Sequence, residues 1–477
     1  MSNESAQRAK ATWSTGWPLI ARSSPLTAYK VTFQNRQPII IPMPLGLYIS
    51  VPFCRSKCTY CNFASDVFSR GMFEKYIARL GDEIAQASET AQRMGALADG
   101  TVNTVYFGGG TPTLLDVSQL ERVFVNIRQK FEVAAGCEIT VECAPGTLSE
   151  ATIECFARNG VNRVSLGVQS FVDQEARSVG RLHNRETVLD DIAALRFAGI
   201  SNINVDLIAG LPHQTLDSWG QSLDALIAIG VPHASVYMLE VDADSRLGRE
   251  LIAGGQKYHA HFVPDEDLTA DMYEIACERL NAAGIEQYEI SNFARSGFES
   301  KHNLKYWTRQ PYLGFGVDAH SMLLARLASS VNADQEHDRE GRDFPSCRPH
   351  SVQTYGTAES PALPGRSADE NITAVRFCNA DSLTSYLEDS KPHPTIVTQE
   401  SALEETCFLG LRLTQGLDLR EVAKKFGDGA LAVISEIIAD SLQAGLMERR
   451  GDFVRLTSKG RLLSNEVFER FVSSPAT

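Results

Sequence analysis

Cys54, Cys58 and Cys61 place three thiols within the eight-residue string Cys-Arg-Ser-Lys-Cys-Thr-Tyr-Cys. The C-x3-C-x2-C spacing gathers them around one small loop, directly after the apolar run 47–51 and Pro52. A structural zinc site takes four N/S ligands in closely spaced pairs, and no fourth Cys or His stands nearby in the chain. Iron–sulfur clusters are held by Cys thiolates and carry several irons, so three protein ligands leave one iron open. An open iron can coordinate a small molecule, which is a catalytic arrangement rather than a structural one.

The flanking residues narrow the reading. The strings Tyr48-Ile-Ser-Val-Pro-Phe-Cys54 and Cys58-Thr-Tyr-Cys61-Asn-Phe63 resemble the radical S-adenosylmethionine (SAM) superfamily. Within it they resemble the oxygen-independent coproporphyrinogen III oxidase group, and there most nearly the haem chaperones of the HemW family. The resemblance runs from about residue 47 to 321 and resumes near Val375. It implies that Cys54, Cys58 and Cys61 bind a 4Fe–4S cluster whose unique iron chelates the amino and carboxylate groups of SAM. One electron would then cleave the sulfonium to methionine and a 5′-deoxyadenosyl radical.

Further motifs carry the resemblance residue by residue. Gly108-Gly-Gly-Thr-Pro-Thr113 follows the run 103–107, and glycines let a backbone approach a ligand without a Cβ in the way. The resemblance gives Gly109, Gly110 and Thr111 to the methionine moiety of SAM. Glu142, Gln169 and Asp206 lie at or near the ends of successive apolar runs, and Arg181 follows Gln169. A carboxylate accepts hydrogen bonds from vicinal hydroxyls and a guanidinium suits a carboxylate, so these four are expected to contact SAM or a second ligand. Tyr48 is expected beside the methionine portion and Tyr60 against the adenine. The string His302-Asn-Leu-Lys-Tyr306-Trp307 is similar to the haem-binding motif of HemW proteins. An imidazole can ligate haem iron and aromatic faces can pack on a macrocycle, which makes His302 the candidate axial ligand.

The elements that must position these groups are those of an α/β chain. Short β-branched runs at 47–51, 103–107, 138–142, 163–168, 202–208 and 234–238 alternate with amphipathic segments at 71–93, 117–131, 149–159, 185–198, 215–229 and 266–283. Phe73, Tyr76, Ile77, Leu80 and Ile84 keep one apolar stripe on the first of these helices. Six βα units predict a partial TIM-type (β/α)6 barrel, whose strand C-termini build the active site. The division expected is an N-terminal extension over 1–45, the barrel with its adjoining haem motif over 46–323, a low-complexity insertion over 324–372, and a C-terminal winged-helix-like α+β domain over 373–477. The insertion leaves open whether 316–321 still pairs with 375–379 in a hairpin. Helices are expected at 406–413, 419–426 and 431–444, with a strand at 453–457 and a helix from Ser458.

Composition bounds the alternatives. The chain has 477 residues, 43% of them hydrophobic, and a formal charge of −14. That acidic balance argues against bulk-charge binding of nucleic acid, and the C-terminal module shows no basic recognition face. No apolar run is long enough to span a membrane. Ten cysteines without a paired framework point to a reducing, cytoplasmic setting; Cys137, Cys143, Cys155, Cys277, Cys378 and Cys407 are expected to be buried small hydrophobes. The N-terminal segment carries Arg8, Lys10, Arg22, Lys30 and Arg36 against Glu4 alone, with Pro18 and Pro25 interrupting it, and reads as a tail or an arm on the barrel.

Two functions of different kinds follow from the resemblance. The first is haem binding and delivery to recipient proteins such as respiratory enzymes, with cluster and SAM governing binding or release. The second is oxidative decarboxylation of coproporphyrinogen III to protoporphyrinogen IX. The oxidases carry another Cys two residues beyond the third ligand, where this chain has Phe63. The chaperone reading is therefore preferred, with residual SAM cleavage, an electron donor such as a flavodoxin or ferredoxin, and peripheral association with a membrane as further expectations.

Overall fold

The computed structural model describes residues 43–96, 98, 100–325, 372–388 and 391–472. The expectations for the N-terminal extension and the insertion fall almost wholly on 1–42 and 326–371, outside the described residues.

Six parallel strands form the centre: β1 (Leu45–Val51), β2 (Val102–Gly109), β3 (Val133–Cys143), β4 (Arg163–Gln169), β5 (Asn202–Ala209) and β6 (His233–Met238), paired in chain order. Each expected strand is present. The crossover helices are Arg70–Ala85 with Ala87–Arg93, Val117–Lys130, Glu150–Arg158, Arg185–Phe197, Leu216–Ile229 and Glu266–Ala282. The segment expected as one helix over 71–93 is two, because Gln86 (φ −88°, ψ 5°) leaves helical geometry. Short helices not foreseen include Asp173–Ser178, Arg246–Ala253, Lys301–Trp307 and Leu383–Leu387. Starts are chemically marked: Asp116 caps Val117–Lys130 by accepting from the Gln119 amide at 2.9 Å, while Gln119 Oε1 takes the Asp116 amide.

Alternation along the strands separates two environments. Leu47, Ile49 and Val51, then Val105 and Phe107, Ile139 and Val141, Val164 and Leu166, and Ile203, Val205 and Leu207 are buried in one apolar core with the helices. The intervening residues are polar and form rows across the barrel interior. Strand register sets Tyr48 beside Tyr106, Thr140 and Arg163, and it sets Glu142 beside Ser165, Asn204 and His233. A fully apolar run at either position would leave no polar cavity.

The sheet continues beyond the six strands. Asn292–Ala294 (β8) pairs antiparallel with β6 and carries Glu286–Gln287 (β7), while Tyr312–Phe315 (β9) lies parallel to β1. His320–Leu324 (β10), Ile372–Cys378 (β11) and Thr395–Thr398 (β12) complete a twelve-stranded sheet. The pairing left open by the sequence is intact: His320 faces Cys378 and Leu324 faces Ala374 in antiparallel register. A second core gathers Leu403, Cys407, Leu411, Val422, Ile434, Ile438 and Val454, around a small sheet of Leu417–Asp418 (β13), Met447–Arg450 (β14) and Phe453–Leu456 (β15) in the order β13-β15-β14. Helix Gln399–Arg412 begins earlier than expected; Leu419–Phe426, Asp428–Gln443 and Ser458–Leu462 fall close to expectation.

Of the six cysteines expected as buried hydrophobes, Cys137, Cys143, Cys155 and Cys407 are buried and Cys277 is half-buried. Cys378 is a correction: it is half-buried and disulfide-bonded. Among the described residues, no helix is long and apolar enough to cross a membrane.

Candidate functional site

The cysteine loop leaves the C-terminal end of β1 and is tied down on all sides by backbone. Cys54 N–H donates to Asp66 O at 3.0 Å and Asp66 N–H returns to Pro52 O at 3.0 Å. Lys57 Nζ reaches the carbonyls of Phe63 and Ser65 at 2.6 and 2.5 Å, folding the loop over its own ammonium. Thr59 N–H bonds Val179 O at 3.1 Å and Leu247 N–H bonds Thr59 O at 2.8 Å, so segments after β4 and β6 grip the loop. Cys54, Cys58 and Cys61 are free, half-buried thiols. Burial pushes the Cys54 and Cys61 thiols above their ordinary range, opposed for Cys54 first by a hydrogen bond to Ser65 and for Cys61 first by the Phe63 amide. Arg181 Nη1 lies 3.6 Å from Cys58 Sγ. Burial thus opposes ionisation of Cys54 and Cys61, which a bound metal would favour, and Lys57 supplies positive charge beside them.

The glycine turn is required by close packing. Gly110 N–H and Thr111 N–H donate to Val51 O and Phe53 O at 2.8 and 2.7 Å. A Cβ on Gly110 would stand 2.6 Å from Phe53 O and 2.8 Å from Val51 O, and Gly109 adopts φ 96°. The turn thus presses against the strand end that launches the cysteine loop. Thr111 is buried there, its hydroxyl against Cys54.

Glu142 sits beside this turn: a Cβ on Gly108 would meet its carboxyl at 3.0 Å, and Tyr106 OH donates to Oε1 at 2.8 Å. Burial raises the Glu142 carboxyl to about 7, opposed by the Tyr106 bond and reinforced by repulsion from Asp206. Asp206 accepts from Ser165 Oγ at 3.1 Å and Asn204 Nδ2 at 2.7 Å, and burial raises it too. Gln169 ends β4 at φ 71°, a conformation a non-glycine residue adopts at a cost and one that clusters at functional sites. Arg181 Nη2 donates to the Gly167 carbonyl, and its Nε is buried without a partner among the described residues. Tyr48 stacks on Tyr106 with ring centroids 6.1 Å apart. Tyr60 packs with Val179, Ile208, Leu211 and Leu239 in a small apolar cluster. The strand ends therefore bring together the three cysteines, Gly109, Gly110, Thr111, Glu142, Gln169, Arg181 and Asp206 at one mouth.

Sequence reasoning missed the interior below that mouth. Arg163 is 1% exposed, and its Nε has no partner among the described residues; its charge reaches Glu142, Asp206, His233 and His302. Asn204 links Ser165 Oγ (2.8 Å), Ser235 Oγ (3.0 Å) and His233 Nδ1 (2.6 Å), and His233 Nε2 meets Tyr288 OH at 2.9 Å. The signal was present as polar residues every second position within otherwise apolar strands.

His302 occupies the opposite end. Its helix, Lys301–Trp307, starts with Ser300 as cap and docks through the Lys301 and His302 amides onto Glu138, at 3.1 and 3.0 Å. The imidazole is 1% exposed; Nδ1 meets Thr104 Oγ1 and Nε2 meets Tyr306 OH, both at 2.9 Å. Its ring lies 5.2 Å from Tyr106 and 6.4 Å from Tyr48, so two tyrosines separate it from the mouth. Burial holds it down at about 3. In this conformation the helix plugs the barrel floor, and His302 offers no free nitrogen to an iron.

Among the described residues no group of three or more His, Cys, Asp or Glu is arranged to hold one metal ion. Ligands of a cluster sit on different irons and stand further apart than ligands sharing one ion, so the donor set fits a cluster: thiols only, loop-borne, with a cation on one sulfur. Glu142, with a raised carboxyl facing the glycine turn, suits the polar end of a ligand held over it.

Residues 48–226 match the Radical SAM superfamily and 397–463 the HemN C-terminal domain. Heme chaperone HemW of Bacillus subtilis (strain 168) is 32% identical over 427 residues, 89% of this chain and 98% of that protein. Heme chaperone HemW of Lactococcus lactis subsp. lactis (strain IL1403) is 29% identical over 437 residues, 91% and 98% of the two chains. The solved structure of coproporphyrinogen III oxidase (HemN) from Escherichia coli superposes with a TM-score of 0.69 at 21% identity, over 90% of each chain, which is a likeness of fold. A likeness that extends through nearly the whole of a HemW protein, with the cysteine loop at the barrel mouth where the chemistry would require it, settles the kinship: the chain belongs to the HemW family of radical SAM proteins.

Proposed function

We propose that this chain binds a 4Fe–4S cluster, SAM and haem, and passes haem to recipient proteins; its HemW relatives are named heme chaperones. The carrying observation is the gripped loop of three free thiols with Arg181 against Cys58, opening on a mouth that holds two carboxyls with raised pKa. When bound, the cluster supplies one-electron chemistry and an open iron. The chain's own contributions are positional. Gly109 and Gly110 let a ligand's polar end lie close to backbone, Glu142 and Asp206 accept from hydroxyl or ammonium groups, and Tyr48 and Tyr106 close the space beneath. Phe63 stands where the oxidases carry a further Cys, which favours the chaperone over decarboxylation. Haem-accepting proteins and a small electron-transfer protein are the partners this reading requires.

Anaerobic reconstitution tests it. The reduced protein should show a cluster signal in electron paramagnetic resonance that shifts on adding SAM, and Cys58→Ala should abolish both signal and iron content. Ferric haem should bind and transfer to an apo-haem protein, while coproporphyrinogen III is left unchanged. Sustained protoporphyrinogen formation would replace this reading with the oxidase one.

A further inference from the structure

Helix Gln399–Arg412 of the C-terminal module ends against the barrel on a guanidinium that the cluster and SAM do not use. Backbone seats this end: Glu289 and Leu413 form an antiparallel bridge, and Thr414 N–H donates to Tyr288 O at 3.0 Å. Further back on the helix, Glu405 pairs with buried Arg309 at 2.7 Å and with Arg376 at 2.9 Å. Arg412 Cζ lies over the Trp307 ring, 4.3 Å from its centroid.

The guanidinium is held but underused. Among the described residues it makes one hydrogen bond, Nη2 to Glu289 Oε2, at a long 3.4 Å. Its Nε is buried without a partner among the described residues, and so is the indole Nε1 of Trp307. Glu289 is 0% exposed and already spends Oε1 on the Ser291 amide at 2.9 Å and on Asn292 Nδ2. A guanidinium carries five N–H donors, so most of its capacity awaits an acceptor.

The seam beside it is open. Tyr237 shares the inward face of β6 with His233 and Ser235, whose side chains bond Asn204. It is 42% exposed there, although desolvation first, and the charge of Asp206 after it, raise its phenol. A side chain inside the barrel and yet wet lines an open space. Glu289 adds to the same rise, which sets the partner of Arg412 at the edge of that space. Just past β6, the Arg412 charge opposes the rise that burial imposes on the Glu240 carboxyl.

We propose that Arg412 takes a propionate carboxylate of haem, with the face of Trp307 behind it. This rests on the haem-binding reading above and names the group that recognises the acidic edge of the macrocycle. A carboxylate matches the planar fork of a guanidinium, and an aromatic face favours the cation it backs. Arg181, beside the cysteine loop, is the cation placed for the carboxylate of SAM.

The test titrates ferric haem, and ferric haem dimethyl ester with its propionates capped, into the full chain and follows the Soret band. The wild-type chain should bind haem about 10-fold more tightly than the ester. Arg412→Gln should weaken haem binding by about 10-fold and leave ester binding unchanged. Arg412→Lys, which keeps the charge without the planar fork, should fall between them. The cluster signal and its response to SAM should persist in both variants, which reports an intact barrel. Glu289→Gln removes the ion pair but keeps the guanidinium, and it should bind haem at least as well as wild type. A haem affinity in Arg412→Gln equal to wild type, or a loss shared equally by the ester, makes Arg412 a structural residue and leaves the general reading standing. If the wild-type chain takes up no haem, the haem reading itself falls.

Discussion

The two ends of the barrel are made from the same six strands and differ in almost every physical respect. At the floor, His302 has both nitrogens bonded, Glu138 accepts two amides, and Lys305 Nζ bonds Pro44 O at 2.7 Å. At the mouth, Glu142 and Asp206 hold carboxyls with raised pKa, Arg181 Nε has no partner among the described residues, and Gln169, His213, His259 and Asp318 take positive φ without being glycine. Exposed apolar side chains gather there too, among them Phe63, Val67, Leu182, Leu251, Ile252 and Phe262. The contrast is local rather than total: the groups around His302 are paired, although Trp307 Nε1 on the same helix has no partner among the described residues and Arg309 takes φ 51°, whereas the raised carboxyls gather at the mouth. Saturated polar groups stabilise, whereas frustrated ones bind.

The largest effect should come from breaking the floor. His302→Leu leaves Thr104 Oγ1 and Tyr306 OH without their partner, at a cost of about 2–4 kcal/mol in urea unfolding at neutral pH. The pH dependence has a definite sign. The folded imidazole is held near about 3, below the ordinary value of about 6.5, so its contribution is full above about 6.5 and is lost as pH falls toward 3. Wild type and variant should therefore converge in stability on acidification. A His302→Leu protein as stable as wild type but unable to take up haem would make the floor a ligand site and erase the contrast.

At the mouth the sign reverses. The Glu142 carboxyl, raised to about 7, keeps a proton that the unfolded chain gives up near about 4.5, so stability falls as pH rises between these values. Glu142→Gln keeps the Tyr106 bond and removes that penalty. In the SAM-free protein it should add about 1–3 kcal/mol above pH 7 and nothing below about 4.5, while weakening the SAM-induced change in the cluster signal. A loss of stability at pH 8 would mean that the mouth is as satisfied as the floor.

Much of this plan was legible in the chain. Each of the six central strands was visible as a β-branched stretch, and the motif residues marked strand ends because glycines and carboxylates do not belong in the apolar runs they closed; the short strands β7, β8, β12, β13 and β14 were not read. The polar interior was also written there, as Tyr48 and Ser50, Thr104 and Tyr106, Arg163 and Ser165, Asn204 and Asp206, or His233 and Ser235. Reading each run as simply apolar hid its second face. The location of His302 was not legible. A short motif does not say which end of the barrel its residues close, because that depends on the path of β8 and β9, set by pairings distant in sequence. The His213–His259 contact, likewise, joins loops 46 residues apart.

The smallest effect isolates backbone strain from chemistry. Gln169, at φ 71°, occupies a conformation that costs a non-glycine residue about 1–3 kcal/mol, while glycine there loses about 0.5–1 kcal/mol of chain entropy on folding. Gln169→Gly should therefore stabilise the SAM-free protein by about 0.5–1 kcal/mol, read as a higher urea midpoint with an unchanged slope. The same substitution removes the side-chain amide from beside Gly167 and Arg181, so the response of the cluster signal to SAM should weaken even as the fold gains. A variant that gains stability and keeps the full SAM response would show that the strained backbone at the end of β4 serves only the turn, and that the mouth's cost is borne by Glu142 and Asp206 alone.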